Sequence, residues 1–593
     1  MAPLTPAYRL AVAARVVAAI VGGYALAALA TFALAQFLPM TKAEASMTAT
    51  LLSFLIYACA VIWVFATRRK EGFRQSMAWL HTWSGLVVGW ILFAVFVTGT
   101  LSYFRPEISQ WMRPELRDMQ TQPGAAAKAI ATLQQRASDS PRWFIRLPDA
   151  REPVVRATWR DPNAEGRRFK NAVFDPATGE EVTARDTRGG DFFYRFHFEL
   201  SMKPIWGRWV VGFCAMFMFV AIISGVITHK KIFKDFFTFR PKKGQRSWLD
   251  AHNAVGVLAL PYHIMITYSG LVTLMFMYMP WGVQANYGDN REAFFDEALA
   301  VTAETPAANQ PGTLADVEPM LLAAQRHWKG ANASMITVHN PSDANSRIEI
   351  RRDNEGRLSH SNQSVVFAGA TGELIAAAGE PAPATQTHDV VYGLHMANFS
   401  STALRWLFAL CGLGGILMVA SGLVLWSVKR APARVKLGRT PFGHRLVEVL
   451  NIGVITGLPI AIAAFFYANR LLPVGLAERP TWEVRVFFAA WLLSFLIPIL
   501  RPARAAWKAQ LLAAATLFAA LPVLNALTTQ AHLGITLSQG NWVYAGFDLT
   551  MLGLAGLLGL AARYAARTPA ARRKPARNKA ETLEDLPAEA ERA

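Results

Sequence analysis

Long apolar stretches alternate with short segments rich in Lys and Arg along most of the chain. A helix needs about 20 mainly apolar residues to cross the hydrocarbon core of a bilayer. The pattern predicts about ten such helices, over Leu10 to Leu38, Thr48 to Ala66, Trp79 to Phe104, Trp209 to Thr228, Leu249 to Met279, Ala403 to Val428, Leu446 to Ala468, Trp482 to Leu500, Ala509 to Leu527 and Val543 to Ala562. We therefore expect a polytopic α-helical membrane protein, and a soluble enzyme is excluded.

The charge distribution predicts on which side of the membrane the connecting segments lie. The chain has 60 Lys and Arg against 41 Asp and Glu, and the cations cluster beside the apolar runs, as at Arg68 to Lys70 and at Lys429-Arg430. Cytoplasmic loops carry such an excess of cations, so these segments and both termini are predicted to be cytoplasmic. The positive charge thus indicates topology and does not indicate nucleic-acid binding.

Several landmarks of the central part recur at a fixed distance, which indicates an internal duplication. His81, Gly85 and Gly99 recur, all with the same shift in numbering, as His252, Gly256 and Gly270. A second, slightly longer and nearly constant shift relates three further pairs, which are Phe196-His197 with Leu394-His395, Cys214 with Cys411, and Ser224-Gly225 with Ser421-Gly422. The central part is therefore predicted to be a duplicated unit of helix, soluble insert and helix.

The two soluble inserts are predicted to be related small α+β domains on the outer face. Both contain the pattern VFxxATGE, at Val173 to Glu180 and at Val366 to Glu373, which is typical of a strand, a turn and a second strand. Each insert also has an earlier strand candidate and a helix candidate, at Val154 to Trp159 and Ala125 to Arg136 in the first, and at Arg347 to Arg351 and Leu314 to Trp328 in the second.

These patterns predict nine segments. They are two N-terminal helices with a cytoplasmic loop (1–76), core helix A (77–104), outer domain 1 (105–205), core helix B with a cytoplasmic loop (206–248), core helix C (249–279), outer domain 2 (280–400), core helix D (401–430), four C-terminal helices (431–568) and a disordered cytoplasmic tail (569–593).

The repeated histidines are the candidate functional residues. Membrane bundles hold b-type haem between imidazoles of two facing helices. His81 and His252 begin outward-going helices near the cytoplasmic edge, whereas His197 and His395 precede inward-going helices near the outer edge. Height therefore pairs His81 with His252 and His197 with His395, which predicts two b-type haems. Gly85, Gly89, Gly207, Gly256 and Gly393 are small residues that could let a flat macrocycle approach the backbone.

Two further histidines remain candidate ligands, and a role without a metal remains possible for each histidine. A single histidine at a membrane interface is more often solvated or hydrogen-bonded than a metal ligand. His229 lies at the height of His81 and His252 and could replace either as a ligand. His263 lies deeper, next to Pro261, where a hydrogen bond to a carbonyl freed by a helix kink is the preferred interpretation.

The order of these motifs resembles the PepSY-associated transmembrane family, which includes iron-regulated inner-membrane proteins and siderophore-iron reductases. The resemblance covers about Trp79 to Lys429 and is carried by WLHTWSGLVVG, FHFEL, LDAHN, GLHMANF and SGLVLW. It implies a four-helix core with two periplasmic PepSY domains, a bacterial inner-membrane location and a di-haem arrangement. The family's helix-start histidines fall on His81, His197, His252 and His395. Thr82 and Asn253 stand where the family often has Arg.

The expected function is electron transfer across the membrane. No Gly-rich dinucleotide motif follows a strand, so we expect a membrane quinol or a separate cytoplasmic reductase as donor. Ferric iron or a ferric siderophore is the expected acceptor at the outer haem, and membrane lipid is the other expected partner. Arginines of the first insert could attract an anionic chelate, although a solvated face is the preferred interpretation. The alternatives are a PepSY-type regulatory or peptide-binding membrane protein and an accessory of a siderophore or metal transporter.

Overall fold

The computed structural model describes residues 6–66, 72–161, 169–229, 240, 243–299 and 305–566. Within this part, nine helices are long and apolar enough to span a membrane, or ten if the bent pair Gln245–Leu258 and Leu260–Val272 is counted as one span. This confirms the predicted polytopic helical class. The predicted disordered tail at 569–593 and the basic residues Arg68 to Lys70 lie outside the described residues.

Twenty-three α-helices are described, labelled α1 to α23 in chain order. They are Pro6–Val17, Gly23–Phe37, Lys42–Ala66, Phe73–Ser102, Arg105–Trp111, Ala125–Arg136, Asp191–Glu199, Pro204–Thr228, Gln245–Leu258, Leu260–Val272, Met275–Tyr278, Trp281–Tyr287, Arg291–Leu299, Val317–His327, Pro383–Met396, Thr402–Leu437, Phe442–Ile455, Gly457–Leu471, Arg479–Ser494, Leu496–Leu500, Ala503–Thr528, Leu533–Thr536 and Trp542–Ala566. A π-helical turn, Ala18–Gly22, joins α1 to α2.

The two inserts form one sheet. The strands are β1 (Arg142–Arg146), β2 (Val155–Arg160), β3 (Phe169–Phe174), β4 (Ala333–His339), β5 (Arg347–Arg352), β6 (Ser364–Ala368) and β7 (Leu374–Ala377). Their order is β3-β2-β1-β4-β5-β6-β7, and β1 pairs with β4 antiparallel, with Phe144 opposite Thr337. The inserts are therefore joined edge to edge, whereas the sequence suggested two separate domains.

The sheet is covered by one helix from each insert. Ala129 and Leu133 of α6 and Met320 and Ala324 of α14 belong to the same buried cluster as the inward residues of the strands. Inward and outward positions alternate along β2, where Val155, Ala157 and Trp159 are buried, as expected for a sheet with one covered face. The two repeats thus share one hydrophobic core beyond the helix bundle.

The helix bundle has two distinct ends. The end at which both inserts attach, where α4 ends and α8 begins, is here the sheet end. The opposite end, where α8 ends at Thr228 and where Lys429 and Arg430 lie, is here the basic end. Core helix C is broken near its middle, where α9 and α10 meet at an angle of 67°. Pro261 stands in the first turn of α10, where proline is tolerated.

The C-terminal helices are attached to the sheet end by a buried polar network. Arg479 and Glu483 of α19 form an ion pair of 2.6 Å, with side chains that are 1% and 0% exposed. Glu483 also accepts hydrogen bonds from Asn469 and from Thr187 of the first insert. Asp548 accepts from Trp111 and Asn525. The acidic residues of these helices therefore connect them to the first insert.

We expect Arg479→Leu to destabilise the protein by about 3–5 kcal/mol, because it leaves the Glu483 carboxylate buried without its cation. Thermal unfolding in detergent, followed by circular dichroism, measures the loss. Arg485→Leu is the matched control, because Arg485 lies on the same helix with an exposed side chain. Equal melting temperatures for the two variants would contradict the prediction.

Candidate functional site

The structure brings His81 and His252 together near the basic end. His81 lies on α4 and His252 on α9, and their ring centres are 6.2 Å apart. Transition-metal bonds to imidazole nitrogen are about 2 Å long, so two imidazoles bound to opposite sides of one metal ion have ring centres about 6 Å apart. The basic-end pair therefore has the separation expected of two imidazoles that would hold one metal ion between them.

His197 and His395 form an equivalent pair at the sheet end, with ring centres 6.0 Å apart. They lie on the short helices α7 and α15, and each helix ends in a left-handed residue, Leu200 and Ala397. Burial lowers the pKa of both imidazoles, that of His395 to about 3 with His197 as the second cause. Both rings are therefore neutral near pH 7, which is the metal-binding form.

Hydrogen bonds fix which ring nitrogen faces the partner in each pair. His81 Nδ1 lies 2.8 Å from the Ala221 carbonyl, and His252 Nδ1 lies 3.0 Å from the Met418 carbonyl. A carbonyl oxygen only accepts, so Nδ1 must carry the proton in the neutral ring and Nε2 keeps its lone pair. Ala221 and Met418 are related by the same shift as Cys214 and Cys411, so the acceptors obey the repeat of the sequence landmarks.

The sheet-end pair is oriented in the same way. His197 Nδ1 lies 2.8 Å from the Val95 carbonyl. His395 Nδ1 lies 3.1 Å from Ser269 Oγ, and the Ile266 carbonyl is a second hydrogen-bond acceptor for this ring. Val95 and Ile266 are related by the other repeat shift, the one that separates Gly99 from Gly270. A hydrogen bond at the second imidazole nitrogen is the usual way in which proteins orient a metal-binding histidine.

Four glycines lie directly against the four histidine rings. A Cβ atom would stand 2.7 Å from the ring of His197 at Gly99 and 3.0 Å from the ring of His81 at Gly225. The repeat partners behave alike, with 3.0 Å from His395 at Gly270 and 3.2 Å from His252 at Gly422. Real Cβ contacts are rarely so short, so a larger residue would displace each ring. The repeat exposed these glycines in the sequence, but their role was missed.

The glycines proposed from the sequence divide into two groups. Gly85, Gly89 and Gly256 line the cavity next to the basic-end pair, although a Cβ at Gly89 would stand 2.7 Å from the Leu423 side chain, so Gly85 and Gly256 are the two with room beside them. Gly207 and Gly393 instead pack against backbone carbonyls, those of Glu199 and Leu358. These two residues allow close packing of helix against chain and do not face a space for a macrocycle.

Each histidine pair opens into its own cavity. The basic-end cavity has a volume of about 360 Å³ and the sheet-end cavity one of about 1620 Å³. Small-molecule and cofactor pockets typically measure about 300–1000 Å³, so the sheet-end cavity has room for a cofactor and a second molecule. Leu92 and Met218 line both cavities, so the two cavities adjoin at a wall that contains these apolar side chains.

The two remaining candidate histidines both line the basic-end cavity. His229 lies just after α8, at the basic end of this cavity. His263 is 0% exposed, and neither of its ring nitrogens makes a hydrogen bond of normal geometry within the described residues. The backbone of Cys411, on the neighbouring helix α16, is a polar group that faces the His263 ring. The helix break expected beside His263 is present, but the expected hydrogen bond to a carbonyl freed at that break is not formed.

The arginines of the first insert are mostly paired. Arg151 contacts Glu107 at 2.7 Å, and Arg156 pairs with Glu152. Arg146 and Arg188 line the sheet-end cavity with exposed side chains. The mixture of paired and exposed cations gives this cavity a polar wall on the sheet side, while His197 and His395 lie toward the membrane helices.

Comparison with known proteins identifies the core. The chain is 26% identical to Uncharacterized protein PA4219 of Pseudomonas aeruginosa over 375 residues, which cover 59% of this chain and 89% of that protein. Residues 78–429, which include all four paired histidines and both inserts, match the family model described as "PepSY-associated TM region". The chain therefore belongs to the PepSY-associated transmembrane family.

Proposed function

We propose that this protein is a di-haem b-type oxidoreductase that carries electrons across the bacterial inner membrane. His81 and His252 hold one haem, and His197 and His395 hold the other. The observation that carries the proposal is the presence of two repeat-related histidine pairs, each with its Nδ1 atoms bonded and its ring centres at a metal-bridging separation. When bound, haem supplies a one-electron redox centre at each pair.

The residues of the chain create the conditions that such centres need. The Nδ1 hydrogen bonds keep each Nε2 available to a metal. Apolar residues line the cavity of the basic-end pair on the side toward the sheet end, including Leu92 and Met218 on the wall between the cavities. This wall keeps water and ions out of the space between the two pairs, since neither is stable in an apolar environment. Electrons can then cross while ions cannot.

We assign the basic end to the cytoplasm and the sheet end to the periplasm, because cations concentrate on the cytoplasmic side of membrane proteins. The donor is then a membrane quinol or a cytoplasmic reductase that acts near His81 and His252. The acceptor is ferric iron or a ferric siderophore. Its place is the sheet-end cavity, whose size of about 1620 Å³ and whose arginines suit an anionic chelate.

Absorption spectroscopy of the purified protein tests the proposal. We expect a Soret band, an α band that develops on reduction, and about two haems b per chain by the pyridine haemochrome assay. The reduced protein should convert a ferric siderophore to ferrous iron, trapped by a colorimetric ferrous chelator. A colourless protein from haem-replete cells, with its helical content intact, would contradict the proposal and favour a regulatory or transport-accessory role.

A further inference from the structure

The lining of the basic-end cavity changes along its length, from apolar at its inner end to partly polar at its opening. Toward the sheet end it is lined by residues such as Val88, Leu92 and Met218. At the basic end polar side chains join apolar ones such as Val226, Leu249 and Leu425, and the polar part, here the mouth, consists of Thr82, Thr228, His229, Asn253, Trp426, Lys429 and Arg430. The cavity thus has the polarity of a ligand with one apolar edge and one hydrophilic edge.

The charges at this mouth all have the same sign. Lys429 and Arg430 line it, and no Asp or Glu is found among the described residues that line the cavity. The sheet-end cavity differs, since its Arg208 is held at 2.6 Å by Glu199. Lys429 is exposed at the mouth, whereas Arg430 is half-buried. A half-buried cation without a carboxylate partner is costly, so the mouth beside Arg430 is suited to an anion supplied by a ligand.

Trp426 adds a second, independent observation. Its indole Nε1–H is buried and has no hydrogen-bond partner within the described residues, although a buried donor normally has one. The Arg430 guanidinium lies 4.1 Å from the centre of the Trp426 ring and donates to the Trp426 carbonyl at 3.3 Å. Trp426 therefore holds the guanidinium at the mouth and contributes an unused donor of its own.

We propose that the mouth formed by Trp426, Lys429 and Arg430 binds the two propionate carboxylates of the haem held by His81 and His252. The inference rests on the proposed function and adds the orientation of this cofactor. The carboxylate edge faces the basic end, and the apolar edge faces Leu92 and Met218. Charge-assisted hydrogen bonds from Lys and Arg to carboxylates are strong enough to fix such an orientation.

The midpoint potential of this haem tests the assignment. The variants are made in a His197→Ala background, so that one haem remains per chain and gives one potential. Lys429→Gln with Arg430→Gln leaves the carboxylates uncompensated, and the added negative potential opposes uptake of an electron. We expect the midpoint potential to fall by at least about 59 mV, which is a tenfold change in a one-electron equilibrium. Arg439→Gln, an exposed cation outside the cavity, should leave the potential unchanged.

A second measurement uses His197→Ala protein produced without haem and needs no substitution at the mouth. Haem b and its dimethyl ester, in which both carboxylates are blocked, are added to the full chain, and we expect at least tenfold weaker binding of the ester. Equal affinities for haem b and its dimethyl ester would overturn the inference, as would an unchanged midpoint potential in the Lys429→Gln, Arg430→Gln double variant. Either result would leave the proposed function intact. A colourless wild-type protein would contradict the proposed function itself.

Discussion

His81→Ala is expected to lower the haem content from about two to about one per chain, and His252→Ala added to it should remove no more. The reason is that, under the proposed function, the two imidazoles of the basic-end pair share one iron, and their ring centres are 6.2 Å apart. His197→Ala and His395→Ala should behave in the same way at the sheet end. Combining one substitution from each pair should leave the protein without haem. Pyridine haemochrome counting of purified variants measures all of these outcomes.

The haem content of the double variants decides which histidines form a pair. Two substitutions in one pair should together remove no more haem than either alone, because the effects of residues that share one site are not additive. His327→Ala is the control, since His327 lies at the end of α14 in the sheet-covering layer and lines neither histidine cavity. If His81→Ala and His252→Ala each removed a different haem, then the pairing across the repeat would be wrong. If His229→Ala or His263→Ala removed a haem, the ligand set would have to be revised.

The helices and the heights of the histidines could be predicted because both follow from local pattern. A membrane helix is encoded by composition over its own length, so the C-terminal ends found from apolar runs agree with those of α3, α8 and α21 within one residue, whereas these helices begin five or six residues earlier than predicted. The duplication then added a second source of information. A repeat relates positions that lie far apart in the chain, and it pointed to all four histidines without any knowledge of contacts.

The union of the two inserts could not be predicted from local pattern. β1 and β4 form the centre of the sheet, yet neither was recognised as a strand. Along β1 the buried residues Trp143 and Ile145 alternate with the more exposed Arg142, Phe144 and Arg146. An alternation over only five residues is easily overlooked in the sequence. The pairing of β1 with β4 joins segments from two different inserts, with two membrane-spanning helices between them in the chain. Strand pairing at such a distance depends on tertiary packing.

The roles of individual glycines could be predicted only in part from the sequence. Gly99, Gly225, Gly270 and Gly422 were visible as repeated landmarks, but a repeat alone does not say what a glycine touches. None of the four has a positive φ within the described chain, so the backbone conformation does not demand glycine. The demand comes from a ring that another helix brings within 2.7 to 3.2 Å of the Cβ position. Such a contact becomes known only in three dimensions.

The same contacts give the second large expected effect. Gly99→Val should remove the sheet-end haem, leaving about one haem per chain, because a Cβ at this position would stand 2.7 Å from the His197 ring. The ring must then turn away from His395 and from the Val95 carbonyl that orients it. Gly225→Val should remove the basic-end haem through His81 in the same way. Haem content and the reduced spectrum of each variant measure the effect, and the spectrum of Gly99→Val should match that of His197→Ala.

Gly556→Val is the matched control, because Gly556 lies inside helix α23 and, apart from the backbone of that helix, no atom of the described residues lies within 4 Å of its Cβ position. It carries the same cost of placing a β-branched residue in a helix, so any loss of haem beyond this control arises from the ring contact. A Gly99→Val protein that kept both haems would show that His197 is free to move and is not a ligand. A loss of both haems with a normal melting temperature would show that the two sites fill cooperatively, against the independent loss expected from separate cavities.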